Sequence, residues 1–304
     1  MSREWQPGAP TMLAVVAHPD DETLIMGGLL SACVEDGWNV AVLTCTRGEA
    51  GDVIGEDLAH LAGDGPALGA HRERELAAAL AALGVQRQYW LDEIGEIRIV
   101  DSGMVWDSDG KALPAPDAPE NALSNILVAD VADRMASILS DALPDVVVSE
   151  EPGGGYGHPD HVRTVEGLMI TIGMSMYNRP MWVWAHRPAE QWRAGLRALA
   201  AYDAGDFALP DPDGPLPPIT DDHKLQRVVV EVAGVRQHVL AAMEAHGSQI
   251  QGIEPIDGNP DIIGRYALSN GIWYPILAKE TYQVIFGHPD LVSWPDGITV
   301  EPAP

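Results

Sequence analysis

The stretch Val15-Val16-Ala17-His18-Pro19-Asp20-Asp21-Glu22 decides the fold, because an apolar run typical of a buried strand ends in a histidine and three acids. In an open α/β sheet, ligands bind in the crevice beyond the carboxyl ends of the strands, so polar residues there face a pocket. His18 and Asp21 stand three residues apart as the chain turns into its first helix, so both side chains can reach one point. An imidazole and a carboxylate at one point indicate a metal site.

The segments around this stretch predict a βαβ unit. Residues 12–17 read as a strand, 24–34 as a helix and 40–44 as a second buried strand. Such a unit implies a right-handed crossover and a parallel sheet. We therefore predict an α/β fold, with a Rossmann-like, mostly parallel sheet flanked by helices. Residues 1–173 would form the catalytic domain with both metal-ligand motifs, and residues 174–304 a smaller lobe that completes the substrate pocket.

The charge of the chain bounds its partners. Lys and Arg number 18 against 45 Asp and Glu, for a formal net charge of -27. Such a chain would repel phosphate backbones and anionic bilayers, so neither nucleic acid nor membrane is an expected partner. No apolar run approaches the ~20 residues that span a bilayer, and the amino terminus lacks the apolar core of a signal peptide. With Cys33 and Cys45 as the only cysteines, we predict a cytoplasmic protein without disulfides, whose oligomeric state stays open.

A second strand end carries a similar cluster. The apolar run 146–148 leads into Glu150-Glu151-Pro152-Gly153-Gly154-Gly155-Tyr156-Gly157-His158-Pro159-Asp160-His161, after which the chain reads as a helix. Pro159 suits the first position of that helix, and the glycines let the backbone approach a ligand. Because a parallel sheet can bring two strand ends side by side, we expect His161 to join His18 and Asp21 in a metal site.

Two histidines and one carboxylate leave a coordination position open for water, which is typical of catalytic zinc. The same set also fits non-haem Fe²⁺, so zinc is the predicted metal and iron the alternative. Asp20 lies beside the ligands and is placed to take a proton from water at the metal. Its alternative role is to cap the amino end of the helix.

His158 and Asp160 would form a second pair, in which the carboxylate fixes the tautomer of the imidazole and favours its charged form. A cation there could stabilise an oxyanion or protonate a leaving amine. Tyr156 is a further candidate donor to the oxyanion, or else it packs beneath the glycine loop.

These motifs resemble a known family. Residues 17–22 look like the signature of the PIG-L/LmbE-like zinc-dependent N-deacetylases, and residues 154–161 are similar to the family's second motif. The similarity extends to 44–49, to the helix around Arg72, to 101–104 and to 267–270. The similarity covers approximately residues 1–173 and 235–286. Within the family, the pattern is most similar to the deacetylases of N-acetylglucosaminyl-inositol in mycothiol biosynthesis.

The resemblance implies a role for each matching residue. Zinc would be bound by His18, Asp21 and His161, with Asp20 as the general base. Charge development or protonation of the leaving group would be assisted by His158 with Asp160, and the substrate carbonyl would contact Tyr156.

The resemblance also implies a sugar substrate. Arg72 and Asp101 match family positions that hold sugar hydroxyls, and Asp52 and Met104 complete the predicted substrate-binding set. We predict hydrolysis of the N-acetyl amide of an N-acetylglucosaminyl-inositol type of amino sugar, a small-molecule partner, with release of acetate and the free amine. Two alternatives stay open: an amidase of mycothiol S-conjugates, and a deacetylase of an amino-sugar intermediate in natural-product biosynthesis.

Overall fold

The computed structural model describes residues 4–107, 112–175, 179–216 and 225–303. The strands are β1 (Thr11–Val16), β2 (Asn39–Thr44), β3 (Arg87–Trp90), β4 (Met104–Trp106), β5 (Ala112–Pro114), β6 (Val146–Ser149), β7 (Met181–His186), β8 (Arg227–Glu231), β9 (Gln251–Pro255), β10 (Ile262–Ala267), β11 (Trp273–Leu277), β12 (Lys279–Phe286) and β13 (Ile298–Glu301). The α-helices are α1 (Asp21–Glu35), α2 (Gly65–Leu83), α3 (Val128–Ala142), α4 (Pro159–Met174), α5 (Ala189–Leu199) and α6 (Arg236–Ala245).

An eight-stranded sheet, in the order β13-β8-β12-β7-β6-β1-β2-β3, forms the centre of the molecule. Strands β3, β2, β1, β6 and β7 run parallel, whereas β12, β8 and β13 are antiparallel to their neighbours. The predicted α/β fold with a mostly parallel sheet flanked by helices is confirmed. A three-stranded antiparallel sheet, β11-β10-β9, and the β4-β5 pair complete the strands.

The strand order places a crevice between β1 and β6. From β1 the chain continues to β2 and β3 on one side, whereas β6 and β7 lie on the other side. Loops that leave the carboxyl ends of β1 and β6 therefore diverge, and the space between them is where open α/β sheets bind ligands.

Both faces of the sheet are covered by helices. Along β1, Met12 and Ala14 pack with buried residues of α1 and α2, whereas Leu13 and Val15 pack with buried residues of α3 and α4. A strand between two helical layers must be apolar on both faces, which explains why all of β1 is apolar or buried. The interior position of β1 is what makes its polar carboxyl-terminal extension stand out in the sequence.

The chain after residue 173 contributes to the same sheet. Strands β7, β8, β12 and β13 lie in the central sheet, while β9, β10 and β11 form the small sheet with α5 packed on β11. The division at residue 173 into two domains stays a prediction. Within the described residues, no helix combines the length and apolar character needed to cross a bilayer.

Candidate metal centre and active site

The predicted site residues meet at the carboxyl ends of β1 and β6. The turn after β1 supplies His18, Asp20 and Asp21, and the first turn of α4 supplies Asp160 and His161. Pro159 occupies the first helical position of α4, where its missing N–H costs nothing. A cavity of about 550 Å³ is lined by His18, Asp20, Asp21 and His161 from this group.

Three donor atoms converge on one point. His18 Nδ1 lies 3.0 Å from His161 Nε2 and 3.7 Å from Asp21 Oδ2, and His161 Nε2 lies 3.5 Å from the same carboxylate oxygen. Ligand atoms about 2.0–2.1 Å from a tetrahedral zinc ion are about 3.4 Å from one another. The spacing and the chemistry of these donors therefore fit a divalent metal ion.

Each of the two imidazoles meets a carboxylate on its other side. His18 Nε2 lies 3.2 Å from Asp160 Oδ2, and His161 Nδ1 lies 2.5 Å from Glu150 Oε2. Histidines that bind metals usually direct the second ring nitrogen at a carboxylate, which fixes the tautomer and the ring orientation. Glu150 was not predicted from the sequence as a site residue. Its position directly after β6, equivalent to the polar residues after β1, was the available signal.

The acidic surroundings favour positive charge at this point. Burial lowers the pKa of both imidazoles, but Asp101, Asp160 and Asp21 outweigh it at His18, whose pKa lies well above its usual value. At His161, Asp21 and Glu150 likewise outweigh burial and raise the pKa to about 9. A field that stabilises protons on two facing imidazoles also stabilises a bound cation.

Asp20 has an unusual backbone. Its φ of 110° lies in the range that residues with a side chain rarely adopt. Its N–H donates to Glu22 Oε2 at 3.0 Å, and its Oδ2 accepts from Arg72 Nη2 at 3.1 Å. Asp20 occupies the N-cap position of α1, but its side chain makes no capping hydrogen bond. The carboxylate faces the cavity, and its burial raises the pKa to about 6 although Arg72 opposes the shift.

The pairing of His158 differs from the sequence prediction. The carboxylate of Asp160 contacts His18 and accepts hydrogen bonds from the backbone N–H and the hydroxyl of Ser102, whereas the backbone N–H of Asp160 donates to His158 Nδ1 at 3.2 Å. Burial, together with the nearby imidazoles, lowers the pKa of His158 to about 2. The ring is therefore neutral in this arrangement and carries its proton on Nε2, instead of the charged form predicted. Asp101 is the acid whose charge acts on it.

The ring of Tyr156 lies beside the rings of His161 and His158. Its ring centroid is 5.9 Å from that of His161 and 6.1 Å from that of His158, and Trp106 packs on it at 5.5 Å. Burial raises the pKa of Tyr156, so its hydroxyl keeps its proton and is available as a donor. Trp106 itself is 58 % exposed at the cavity rim.

All four predicted substrate-binding residues line the cavity: Arg72, Asp101, Asp52 and Met104. Two of them also contact proposed catalytic or metal-binding residues, because Arg72 donates to Asp20 and Asp101 Oδ1 lies 3.7 Å from His18 Nε2. The carboxylate of Asp101 is held in place by the N–H groups of Ala50 and Gly103. Asp52 accepts from the Ser269 hydroxyl at 2.9 Å and so joins two walls of the cavity. Further lining residues that the sequence did not reveal are Arg187, Trp192, Gln249 and Tyr266.

An open α/β sheet with two histidines and one carboxylate converging beside a cavity is typical of metal-dependent hydrolases. The family of PIG-L proteins, described as GlcNAc-PI de-N-acetylase, matches residues 13–172. The chain belongs to this family.

Relatives of known name agree with the assignment. A 1D-myo-inositol 2-acetamido-2-deoxy-alpha-D-glucopyranoside deacetylase of Nocardioides sp. is 38% identical over 295 residues, covering 91% of this chain and 92% of its own length. The protein of the same name from Kineococcus radiotolerans is 37% identical, covering 91% of this chain and 77% of its own length. Among solved structures, N,N'-diacetylchitobiose deacetylase from Pyrococcus horikoshii is similar, with 23% identity, coverage of 79% and 71% of the two chains and a TM-score of 0.47.

Proposed function

We propose that this protein hydrolyses the N-acetyl amide of N-acetylglucosaminyl-inositol and releases acetate and the free amine. The observation that carries the proposal is the cluster of His18 Nδ1, His161 Nε2 and Asp21 Oδ2, with separations of 3.0, 3.5 and 3.7 Å, beside the Asp20 carboxylate that faces the cavity. The names of the relatives support the choice of substrate.

Zinc is the metal we propose for the site. His18, Asp21 and His161 would hold it, and Fe²⁺ is the alternative because the same donor set binds it. When bound, the metal supplies a Lewis acid that polarises the amide carbonyl and lowers the pKa of water. Glu150 and Asp160 hold the two imidazoles in the required orientation from behind.

Asp20 would move the proton of the reaction. Arg72 binds Oδ2 of the carboxylate and leaves Oδ1 to accept a proton from the attacking water. The same oxygen can then return the proton to the leaving nitrogen, so that the carboxylate is regenerated. The raised pKa of Asp20, about 6, makes this carboxylate a stronger base than an exposed aspartate.

Two neutral groups would stabilise the developing oxyanion. Tyr156 keeps its hydroxyl proton because burial raises its pKa, and neutral His158 offers the N–H of Nε2. Donors that are already oriented in a buried site can contribute several kcal/mol to stabilisation of the transition state. His158 would therefore act as a hydrogen-bond donor without carrying a charge.

The cavity suits a sugar with an attached polyol. Its volume of about 550 Å³ falls within the ~300–1,000 Å³ typical of ligand pockets. Asp52 and Asp101 would accept sugar hydroxyls, Arg72 would donate to them, and Met104 would contact an apolar face of the ring. Removing Arg72 would also disturb Asp20, and removing the charge of Asp101 would also affect His18 and His158, so Asp52→Asn is the cleaner probe of sugar binding.

The test is to compare substrates with metal-loaded enzyme. We expect kcat/KM for N-acetylglucosaminyl-inositol to exceed that for a simple acetamide by several orders of magnitude, because remote binding energy orients the scissile carbonyl. Asp52→Asn should narrow this ratio of the two kcat/KM values, whereas the control Asp145→Asn, which removes a carboxylate at the opposite end of β1, should not. Equal kcat/KM for sugar and acetamide would contradict the sugar assignment. A mycothiol S-conjugate and other acylated amino sugars in the same panel test the alternative substrates.

A further inference from the structure

Helix α1 is broken one turn and a half after the metal-site motif. Met26 has φ -144° and ψ 15°, which are not helical, so α1 consists of a first segment, residues 21–25, and a second segment, residues 27–35. A break deprives the N–H groups that follow it and the carbonyls that precede it of their helical partners. In a continuous helix, Gly28 and Leu29 would donate to Leu24 and Ile25, four residues earlier.

One carboxylate, from strand β12, accepts both of these N–H groups. The carboxylate of Glu280, in β12, accepts the N–H of Gly28 at 2.7 Å and that of Leu29 at 2.8 Å. Counted from Met26, these are the second and third N–H groups, the two that an N-cap side chain satisfies. Since Met26 has no oxygen to offer, Glu280 caps the second segment from another element.

The carbonyls that precede the break lie beside polar side chains of strand β12 and of the residue just after strand β7. The hydroxyl of Tyr282 donates to Glu280 Oε2 at 2.6 Å and lies 3.3 Å from the carbonyl oxygen of Ile25. Arg187 Nη2 lies 3.5 Å from the carbonyl oxygen of Leu24. The two N–H groups at the break therefore have a partner on strand β12, and the two carbonyls lie beside polar groups of strand β12 and of the residue just after strand β7.

The sequence of α1 makes room for this arrangement. A Cβ on Gly28 would lie 2.8 to 3.0 Å from the carboxylate atoms of Glu280, so only glycine lets the carboxylate reach the backbone. Tyr282 is fully buried, which fixes its hydroxyl at the break. Gly28, Glu280 and Tyr282 therefore form one connected set of contacts at the break, which we call the joint of α1.

We propose that Glu280 and Tyr282 are positioning residues that set the direction of the first segment of α1, and thereby the place of Asp21 relative to the two histidines. The segment begins with Asp21 and ends with Leu24 and Ile25, which line the cavity. This inference rests on the proposed function only in assigning Asp21 to the metal.

The test is the zinc affinity of the folded protein, measured by competition with a chelator well below the unfolding temperature. We expect Glu280→Gln to weaken zinc binding about tenfold, the lower end of the range for groups that support metal ligands from behind. Tyr282→Phe should act in the same direction. As a control, Asp145→Asn also removes a carboxylate that accepts a backbone N–H, that of Thr11 at 2.8 Å, and should leave the affinity unchanged.

Gly28→Ala provides a second, independent variant. In the natural background its Cβ displaces Glu280 and should weaken zinc binding as Glu280→Gln does. In a Glu280→Ala background the space is free, so Gly28→Ala should cause no further loss, and the two effects should be non-additive. Zinc affinity equal to that of the unchanged protein in Glu280→Gln and Gly28→Ala, with only a lower Tm, would overturn the inference. If the protein binds zinc but hydrolyses no amide, the proposed function fails, while the same affinities still decide the role of the joint.

Discussion

Replacing Asp20 with asparagine separates its chemistry from its backbone role. Asparagine tolerates positive φ far better than most residues, so the φ of 110° at this position should persist. The amide oxygen can still accept from Arg72 Nη2, now 3.1 Å from Oδ2, and the N–H can still donate to Glu22. What the variant loses is the ability to accept a proton.

The size of the effect follows from these contacts. Weakening the charge-assisted bond to Arg72 costs about 1 kcal/mol, and removing the repulsion between Asp20 and Asp21 offsets part of it. The free energy of unfolding should therefore change little. Loss of a general base lowers kcat by about 10²–10⁴-fold, or about 2.7–5.5 kcal/mol of transition-state stabilisation.

Asp20→Ala is the matched comparison. It removes the same carboxylate, but alanine at positive φ should lower the free energy of unfolding by about 1–2 kcal/mol more than asparagine does. Both variants should lose similar activity, while the alanine variant unfolds at lower urea concentration. Acetate release gives kcat, elemental analysis gives the metal content, and urea titration gives the free energy of unfolding. Loss of metal from Asp20→Asn would make Asp20 a ligand, and retention of more than a tenth of kcat would refute its role as the base.

Other substitutions test the remaining roles. His161→Ala should abolish tight zinc binding, whereas His158→Ala should keep the metal and lower kcat. Elemental analysis of both variants measures the metal that each retains. Equal loss of metal would contradict the assignment of His161 as a ligand and His158 as a hydrogen-bond donor. Glu150→Gln should weaken zinc affinity by about 10–100-fold, because His161 loses the carboxylate 2.5 Å from Nδ1, and an unchanged affinity in a chelator competition would count against that contact. His246→Ala should lower the free energy of unfolding by about 3–5 kcal/mol, because it leaves the buried carboxylate of Glu22, 2.8 Å from His246 Nε2, without its partner. A loss below about 1 kcal/mol in urea titration would show that the pair contributes little.

The donor set could be predicted because its signal is local. An apolar strand that ends in histidine and aspartate places those side chains at the edge of the sheet wherever the strand lies, and β1 carries this pattern directly. After β6 the histidines and the aspartate follow a glycine-rich loop, at the start of α4. The two strands are neighbours in the sheet, in register from Met12 with Val146 to Val15 with Ser149, as expected for a parallel sheet that brings the two motifs together. Residue type and strand order together were therefore sufficient for His18, Asp21 and His161 to be placed together.

Segments with weaker patterns were predicted less well. The amphipathic pattern over residues 122–143 predicts one long helix, but α3 begins at Val128. Residues before it are held elsewhere: the N–H of Leu123 donates to the carbonyl of Val100, beside Asp101. Helical periodicity over that segment could not show this pairing, because the competing partner is more than twenty residues away. The sequence around strand β7 carries no clear strand pattern either. Its two tryptophans, Trp182 and Trp184, donate hydrogen bonds to Ser149 of β6 and Gln283 of β12, which are distant in the sequence.

The residues that hold the site in place were the hardest to predict, because they lie far along the chain from the residues that they contact. Glu22 pairs with His246, and the two N–H groups of the broken helix pair with Glu280, more than two hundred residues further on. A single glutamate near the start of β12, an interior strand of the central sheet, has no periodic pattern, and the sequence around Met26 predicts an unbroken helix. The first metal-site motif can thus be recognised from eight consecutive residues. Its orientation, as we propose, depends on isolated polar residues in the last sixty residues of the sequence. Exchanging the carboxyl-terminal part for that of a distant family member should consequently weaken metal binding even where every proposed ligand is kept.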